Sequence, residues 1–370
     1  MRLVYLSPVP WDSFSQRSHE LVRYFHEVTL GEVLWIDPYS TRFPRWDDLY
    51  RINCDTKSIR HEFIPDWLSV IKPQAIPIEP IPFSGVINSL FWGDIIRAVQ
   101  AFSKGNVILG IGKPTVLALK LLSLGKFVSS FYDVMDDFPA FYRGLSRVSM
   151  SFRERSLVKI VARVLVSSSS LRDRFSRQGL EACLVLNACA SSRLPTPLVK
   201  HEHTRGKPPV MGYIGTIGRW FDWQLVKLLA NAKPDLQVRL IGPVYSQLPE
   251  SLPVNVNILP PCSHDHAMAA MKEFDIGLIP FKLTELTASV DPIKFYEYRA
   301  VGLPIISSAF GEMTMRGSMN GVYLIGEGFN LTETINKALE YQPNLEEIKK
   351  FRVENSWLRR FELAQIFNSM

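Results

Sequence analysis

Short apolar runs alternate with stretches of helical periodicity along most of the chain. In the first half, strand-type runs fall at residues 3–6, 31–36, 106–110, 127–132, 163–167 and 182–186. Amphipathic stretches fall between them at 18–28, 114–124, 147–161 and 169–178. Strand, helix, strand is the rhythm of a doubly wound α/β sheet. Residues 187–209, rich in Ser, Pro, His and Lys, break the periodicity. The rhythm then restarts, with strands at 210–214, 237–241, 276–279 and 303–308 and helices at 223–232, 266–273 and 345–367. The pattern predicts two Rossmann-like domains, 1–190 and 210–345, joined by a linker at 191–209 and facing a central cleft. The last segment, 346–370, carries Phe351, Trp357, Phe361 and Phe367 and is expected as a helix able to cross back onto the first domain. Ligands of such sheets bind outside the carboxyl ends of the strands.

A length of 370 residues exceeds one ordinary core and suits two. No apolar run reaches the roughly 20 residues needed to span a bilayer. The N-terminus lacks the charged-then-apolar pattern of a secretory signal, so the chain reads as cytoplasmic. Cys54, Cys183, Cys189 and Cys262 show no metal-ligand spacing and read as reduced thiols, and the His264/His266 pair has no evident third ligand. The net charge of +6 is uneven. Residues 1–190 hold 23 Lys and Arg against 18 Asp and Glu, whereas 191–370 hold 19 against 18. That surplus is too small, and too poor in stacking motifs, for a nucleic-acid binder.

Four segments carry candidate chemistry. In 289–304, SVDPIKFYEYRAVGLP, a loop feeds a helix, with Pro292 near its first turn and Gly302 just past its end. Lys294 and Glu297 then share one face near the helix N-terminus, where open N–H groups favour an anion. A lysine there suits a diphosphate and a carboxylate one turn on suits ribose hydroxyls, although a Lys/Glu pair at this spacing is also a common surface ion pair. In 212–223, GYIGTIGRWFDW, glycines follow a strand and allow close backbone approach, and Arg219 can clamp a phosphate. In 131–139, FYDVMDDFP, Asp133, Asp136 and Asp137 leave a strand at its carboxyl end. One of them could take a proton from a hydroxyl, or Asp136 or Asp137 could simply cap a helix ahead of Pro139. In 7–18, Ser15 and Arg17 near a helix start could touch a phosphate or an acceptor, or serve only as capping groups.

The order D-x-G-L-x-P (275–280), K-x-x-E-Y (294–298), G-x-P-I-I-S (302–307) resembles the C-terminal half of GT-B glycosyltransferases. The stretch G-Y-I-G-x-I-x-x-W-x-D (212–222) resembles the opening of that lobe in bacterial polysaccharide glycosyltransferases. Y-x-x-x-D-D (132–137) is similar to an element of the xanthan glucuronosyltransferase and teichuronic-acid glycosyltransferase families. The resemblance implies a GT-B fold and sugar transfer from a nucleoside-diphosphate donor, UDP-linked, with no obligatory metal. It implies a donor site of Gly215, Thr216, Arg219, Ser289, Lys294, Tyr296 and Glu297. Asp136 is the implied base, with Asp137 second and Asp133 third. Large retaining families carry two glutamates eight positions apart; Glu297 matches the second, but position 289 is serine, which favours inversion.

Two segments bear on partners. Residues 83–102 place Ile87, Leu90, Phe91, Ile95 and Val99 near one helical stripe, and residues 142–163 carry six basic side chains and one acid. They suit in-plane docking on an anionic membrane, or a core-facing helix and a solvated face. The reading is a membrane-peripheral enzyme extending a lipid-linked or surface polysaccharide from the cytoplasmic side. A nucleotide-sugar epimerase of the same fold and a non-catalytic glycan-assembly partner are the alternatives.

Overall fold

The computed structural model describes residues 1–39, 63–76, 78–79, 84–191, 193–197 and 207–367. Cys54 and part of the expected linker, residues 192 and 198–206, lie outside them. The described residues among 1–186, with 360–367, form one compact unit, and those among 187–359 form the other.

The first unit is built on seven parallel strands: β1 (Arg2–Leu6), β2 (Glu32–Ile36), β3 (Leu68–Ile71), β4 (Val107–Ile111), β5 (Ser129–Val134), β6 (Arg163–Val166) and β7 (Cys183–Leu184). Their order is β3-β2-β1-β4-β5-β6-β7, so the winding reverses between β1 and β4, and Val4 pairs with both Leu34 and Leu109. Covered by helices on both faces, the central strands bury nearly every side chain, which is why β1 and β4 read as continuous apolar runs. β3 lies at the edge, with only Leu68 of its four residues buried, and its broken pattern hid it from the sequence reading.

The second unit has six parallel strands: β8 (Val210–Ile214), β9 (Gln237–Ile241), β10 (Val256–Leu259), β11 (Ile276–Ile279), β12 (Ile305–Ser308) and β13 (Val322–Ile325). The order β10-β9-β8-β11-β12-β13 places the reversal between β8 and β11. Strands β8, β9 and β11 and the helix Trp223–Ala232 fall on their predicted bounds. The edge strand β10 alternates between half-buried and exposed positions and was not predicted.

Two predicted helices are divided. The stretch expected over 83–102 is the helix Ser84–Asn88, a 3-10 turn Ser89–Phe91 and the helix Gly93–Phe102, broken at the fully buried Trp92. Ile95 and Val99 therefore turn into the core while Ile87, Leu90 and Phe91 stay exposed. The helix expected over 345–367 is likewise two, Leu345–Glu354 and Trp357–Leu363, because Asn355 closes the first and Ser356 bridges to Cys189. Beyond that break, Phe361 and Phe367 lie 5.5 and 5.9 Å from the Tyr24 ring. Phe367 also meets Phe25 and Phe131, at 5.0 and 5.9 Å.

Candidate functional site

In the second unit the site residues gather at the carboxyl edge of the sheet, where the winding reverses. β8 runs out at Ile214, and its loop is laid over the neighbouring strand ends. Gly215 N–H donates to Ile241 of β9, Ile217 N–H to Pro243, and Asp222 N–H to Pro280 beyond β11. Gly242, at φ 142°, makes this approach possible: a Cβ there would stand 2.2 Å from the Gly215 carbonyl oxygen. The Thr216 carbonyl accepts the Tyr213 hydroxyl at 2.9 Å, Arg219 is exposed, and Asp222 caps the helix Trp223–Ala232 through Gln224 and Leu225 N–H.

The helix Ile293–Val301 approaches the same edge. Its N-cap is Pro292, which makes no side-chain cap, and Gly302 at φ 87° ends it in the left-handed region. Of its first-turn N–H groups, that of Phe295 donates to the Pro292 carbonyl at 3.0 Å, while among the described residues no bond engages those of Ile293 and Lys294, which can meet an anion. Lys294 and Glu297 form an ion pair of 2.5 Å, with side chains 24% and 14% exposed. Lys294 Cε lies 3.7 Å from where a Gly215 Cβ would be, so the cation stands over the glycine turn. The structure thus brings together Gly215, Lys294 and Glu297 from segments some 80 residues apart. Cys262 belongs to this neighbourhood too: burial pushes its thiol up, and the Lys294 charge opposes that.

Tyr296 and Ser289 occupy different surroundings. Tyr296 is buried and donates its hydroxyl to Asp291 at 2.9 Å, while Arg316 reaches Asp291 at 2.6 Å and the Tyr296 oxygen at 2.7 Å. Asn187 closes the network, its backbone N–H bonding the Asp291 carboxylate at 2.7 Å and its amide the Asp291 carbonyl at 2.6 Å. Asp291 sits directly before Pro292, so this buried cluster fixes the entry of the helix. Ser289 is buried and donates to the Leu286 carbonyl at 3.2 Å. Arg316 and Asn187 were not identified from sequence; they reach Asp291 across 25 and 104 positions, and no local pattern links them.

In the first unit, the three aspartates at the end of β5 meet three different fates. Asp133 is still inside the strand, fully buried, and gripped by Arg17 through Nε at 2.9 Å and a second nitrogen at 2.7 Å. Arg17 also donates to the Val185 carbonyl at 2.5 Å, so the two residues expected to face a ligand are committed to each other inside the fold. Asp137 pairs with Arg174 at 2.8 Å, and Arg174 also reaches Glu154 at 3.0 Å. Ser15, the other candidate of the first loop, donates to Glu20 at 2.9 Å and accepts from Arg23 at 2.8 Å.

Asp136 is different. Asp137 occupies the N-cap position of the 3-10 helix Phe138–Phe141, as the capping reading expects, but neither it nor Asp136 makes a side-chain capping bond. No side chain among the described residues bonds or ion-pairs with the Asp136 carboxyl. Desolvation, reinforced by the Asp137 charge, pushes it up to about 7. A carboxyl poised there, at the carboxyl end of a central strand, can accept a proton at neutral pH.

Solved glycosyltransferases align with the chain over its whole length. Sucrose-phosphate synthase from Thermosynechococcus elongatus aligns with a TM-score of 0.65 at 14% identity, covering all of this chain and 98% of that one. HepE of Anabaena, solved with UDP and glucose, aligns with a TM-score of 0.63 at 13% identity, covering 100% and 99%. The lipopolysaccharide outer core galactosyltransferase WaaB gives 0.62 at 14%, covering both chains fully. The fold is therefore GT-B. In sequence, the chain is 31% identical over 105 residues to TuaH of Bacillus subtilis (strain 168), whose name assigns it to glycosyl transfer in teichuronic acid biosynthesis. That match spans 27% of this chain and 26% of the relative. No protein-family model matches the chain.

Proposed function

We propose that this protein transfers a sugar from a nucleoside-diphosphate donor, UDP-linked, onto a growing lipid-linked polysaccharide, with inversion. The observation that carries the reading is the Lys294–Glu297 pair in the first turns of an uncapped helix, beside the glycine turn at Gly215. Lys294, the open N–H groups and Arg219 would hold the diphosphate and offset charge on it as it leaves. Glu297 would accept hydrogen bonds from the ribose. Asp136 takes the proton of the acceptor hydroxyl as its oxygen attacks the anomeric carbon; the carbon–diphosphate bond breaks and the nucleoside diphosphate departs. HepE, solved with UDP and glucose, and TuaH, named for teichuronic acid biosynthesis, support the choices of nucleotide and acceptor class.

Calorimetric titration with UDP, GDP, dTDP and CMP tests the donor site. Selective binding of UDP is expected, weakened ten- to a hundredfold in Lys294→Ala, as suits loss of a charged hydrogen bond of about 1.5–3 kcal/mol. A folded protein that binds none of the four overturns the assignment.

A further inference from the structure

The helix Gly144–Val158 carries apolar side chains on two faces. Met150, Leu157 and Val158 enter the core of the first unit and account for its attachment. Leu145, Val148 and Phe152, spaced three and four apart, line the other side at 75%, 65% and 70% exposure. One apolar stripe is enough to hold a helix on a core, so a second one facing water calls for an occupant. The exposed Arg155 and Lys159 flank it on the same helix, and Arg143 and Arg147 are exposed near the helix start. Glu154, the single acid between residues 142 and 163, is buried against Arg174 and Tyr132.

This face is also rigidly mounted. Arg153, from the same helix, pairs at 2.8 Å with the buried Glu79, which accepts the Tyr39 hydroxyl at 2.9 Å. Val116 N–H contacts the same carboxylate at 3.5 Å, and Gly85 packs against the Val116 side chain. The Gly85 segment leads to a second exposed apolar group, Leu90 at 82% and Phe91 at 45%. Among the described residues no helix is long and apolar enough to cross a membrane.

We propose that this face docks the first unit in the plane of an anionic phospholipid bilayer. Leu145, Val148 and Phe152 enter the acyl boundary, and these guanidinium and ammonium groups meet lipid phosphates. Charge selects this occupant over a second copy of the chain, since a twofold contact through this face would set the same cations against themselves. The proposal deepens the lipid-linked acceptor reading and rests on it for its purpose, not for its physics.

Sedimentation with phosphatidylcholine vesicles, with and without phosphatidylglycerol, reads docking without any sugar or nucleotide. The full chain is expected to bind the anionic vesicles selectively. The surface variant Leu145→Asp/Phe152→Asp should bind at least about tenfold more weakly. Arg155→Gln/Lys159→Gln should bind about thirtyfold more weakly at low salt and show a flatter salt dependence. Equal binding to both vesicle types, wild-type binding by the Asp variant, or no binding overturns the proposal. So does a dimer in light scattering that the Asp variant dissolves. UDP titration of the same samples separates the two readings: lost docking with intact UDP binding sinks the surface alone, and docking without UDP binding sinks the donor site alone.

Discussion

Replacing Asp136 with asparagine should cost activity and add stability, and the pH at which the stability appears tests the reasoning. In the unfolded chain an aspartate titrates near 4; in the fold, desolvation first and the Asp137 charge second carry this one to about 7. The folded state therefore holds the proton more tightly, and stability falls as pH rises from about 4 through about 7. The full difference corresponds to about 4 kcal/mol, and partial exposure of the side chain brings it nearer about 2 kcal/mol. The amide of the Asp136→Asn variant cannot ionise. Its gain over wild type should be small at pH 4.5 and reach about 2 kcal/mol at pH 8.5, or about 6 °C in the melting temperature of a unit this size. Thermal unfolding of both proteins at the two pH values is the assay. A gain of the same size at both, or none at pH 8.5, refutes the claim that this carboxyl is held out of its ordinary range. If Asp136 is also the base, the variant loses about 10²- to 10⁴-fold in turnover, and wild-type kcat/KM rises with pH to a plateau above about 7.

Arg17→Met leaves Asp133 as an uncompensated buried charge and should destabilise the first unit by about 3–5 kcal/mol, read as a lower denaturant midpoint. Near-wild-type stability would show that the pair is not what holds β5 to the helix Arg17–Thr29. Gly242→Ala forces a Cβ against the Gly215 carbonyl and should weaken UDP binding by displacing the glycine turn, without altering the fold seen by circular dichroism. Asp291→Asn should lower donor affinity through misplacement of the Ile293–Val301 helix rather than through contact, so UDP binding should be partly recovered on adding back the charge in Asp291→Glu.

The legible part of the structure is the part where local sequence decides. Strands buried on both faces wrote themselves as unbroken apolar runs, so β8 and β11 were read on their bounds, and β9 was read from the alternation of Val238 and Leu240 with Gln237 and Arg239. Edge strands such as β3 and β10 lean on neighbours for one face only, and their mixed pattern looks like loop. The Lys294/Glu297 pair was visible because its three-residue spacing, Pro292 and Gly302 all lie in one short segment. What a side chain binds after folding is a matter of long-range partners. Sequence could not show that Arg17 would be consumed by Asp133 116 positions away, or that Arg174 would take Asp137 and leave Asp136 alone. The exposed stripe on the helix Gly144–Val158 escaped for a related reason: with apolar residues on both sides, the helix has no single face for periodicity to find.

The packing of Phe361 and Phe367 against Tyr24, Phe25 and Phe131 has a consequence for how the protein comes into being. The ribosome must make the whole second unit before it delivers the aromatic side chains that finish the core of the first. The usual order, in which the N-terminal domain folds while the rest is still being translated, is therefore interrupted. A nascent first unit waits with those apolar surfaces uncovered until residues 360–367 emerge.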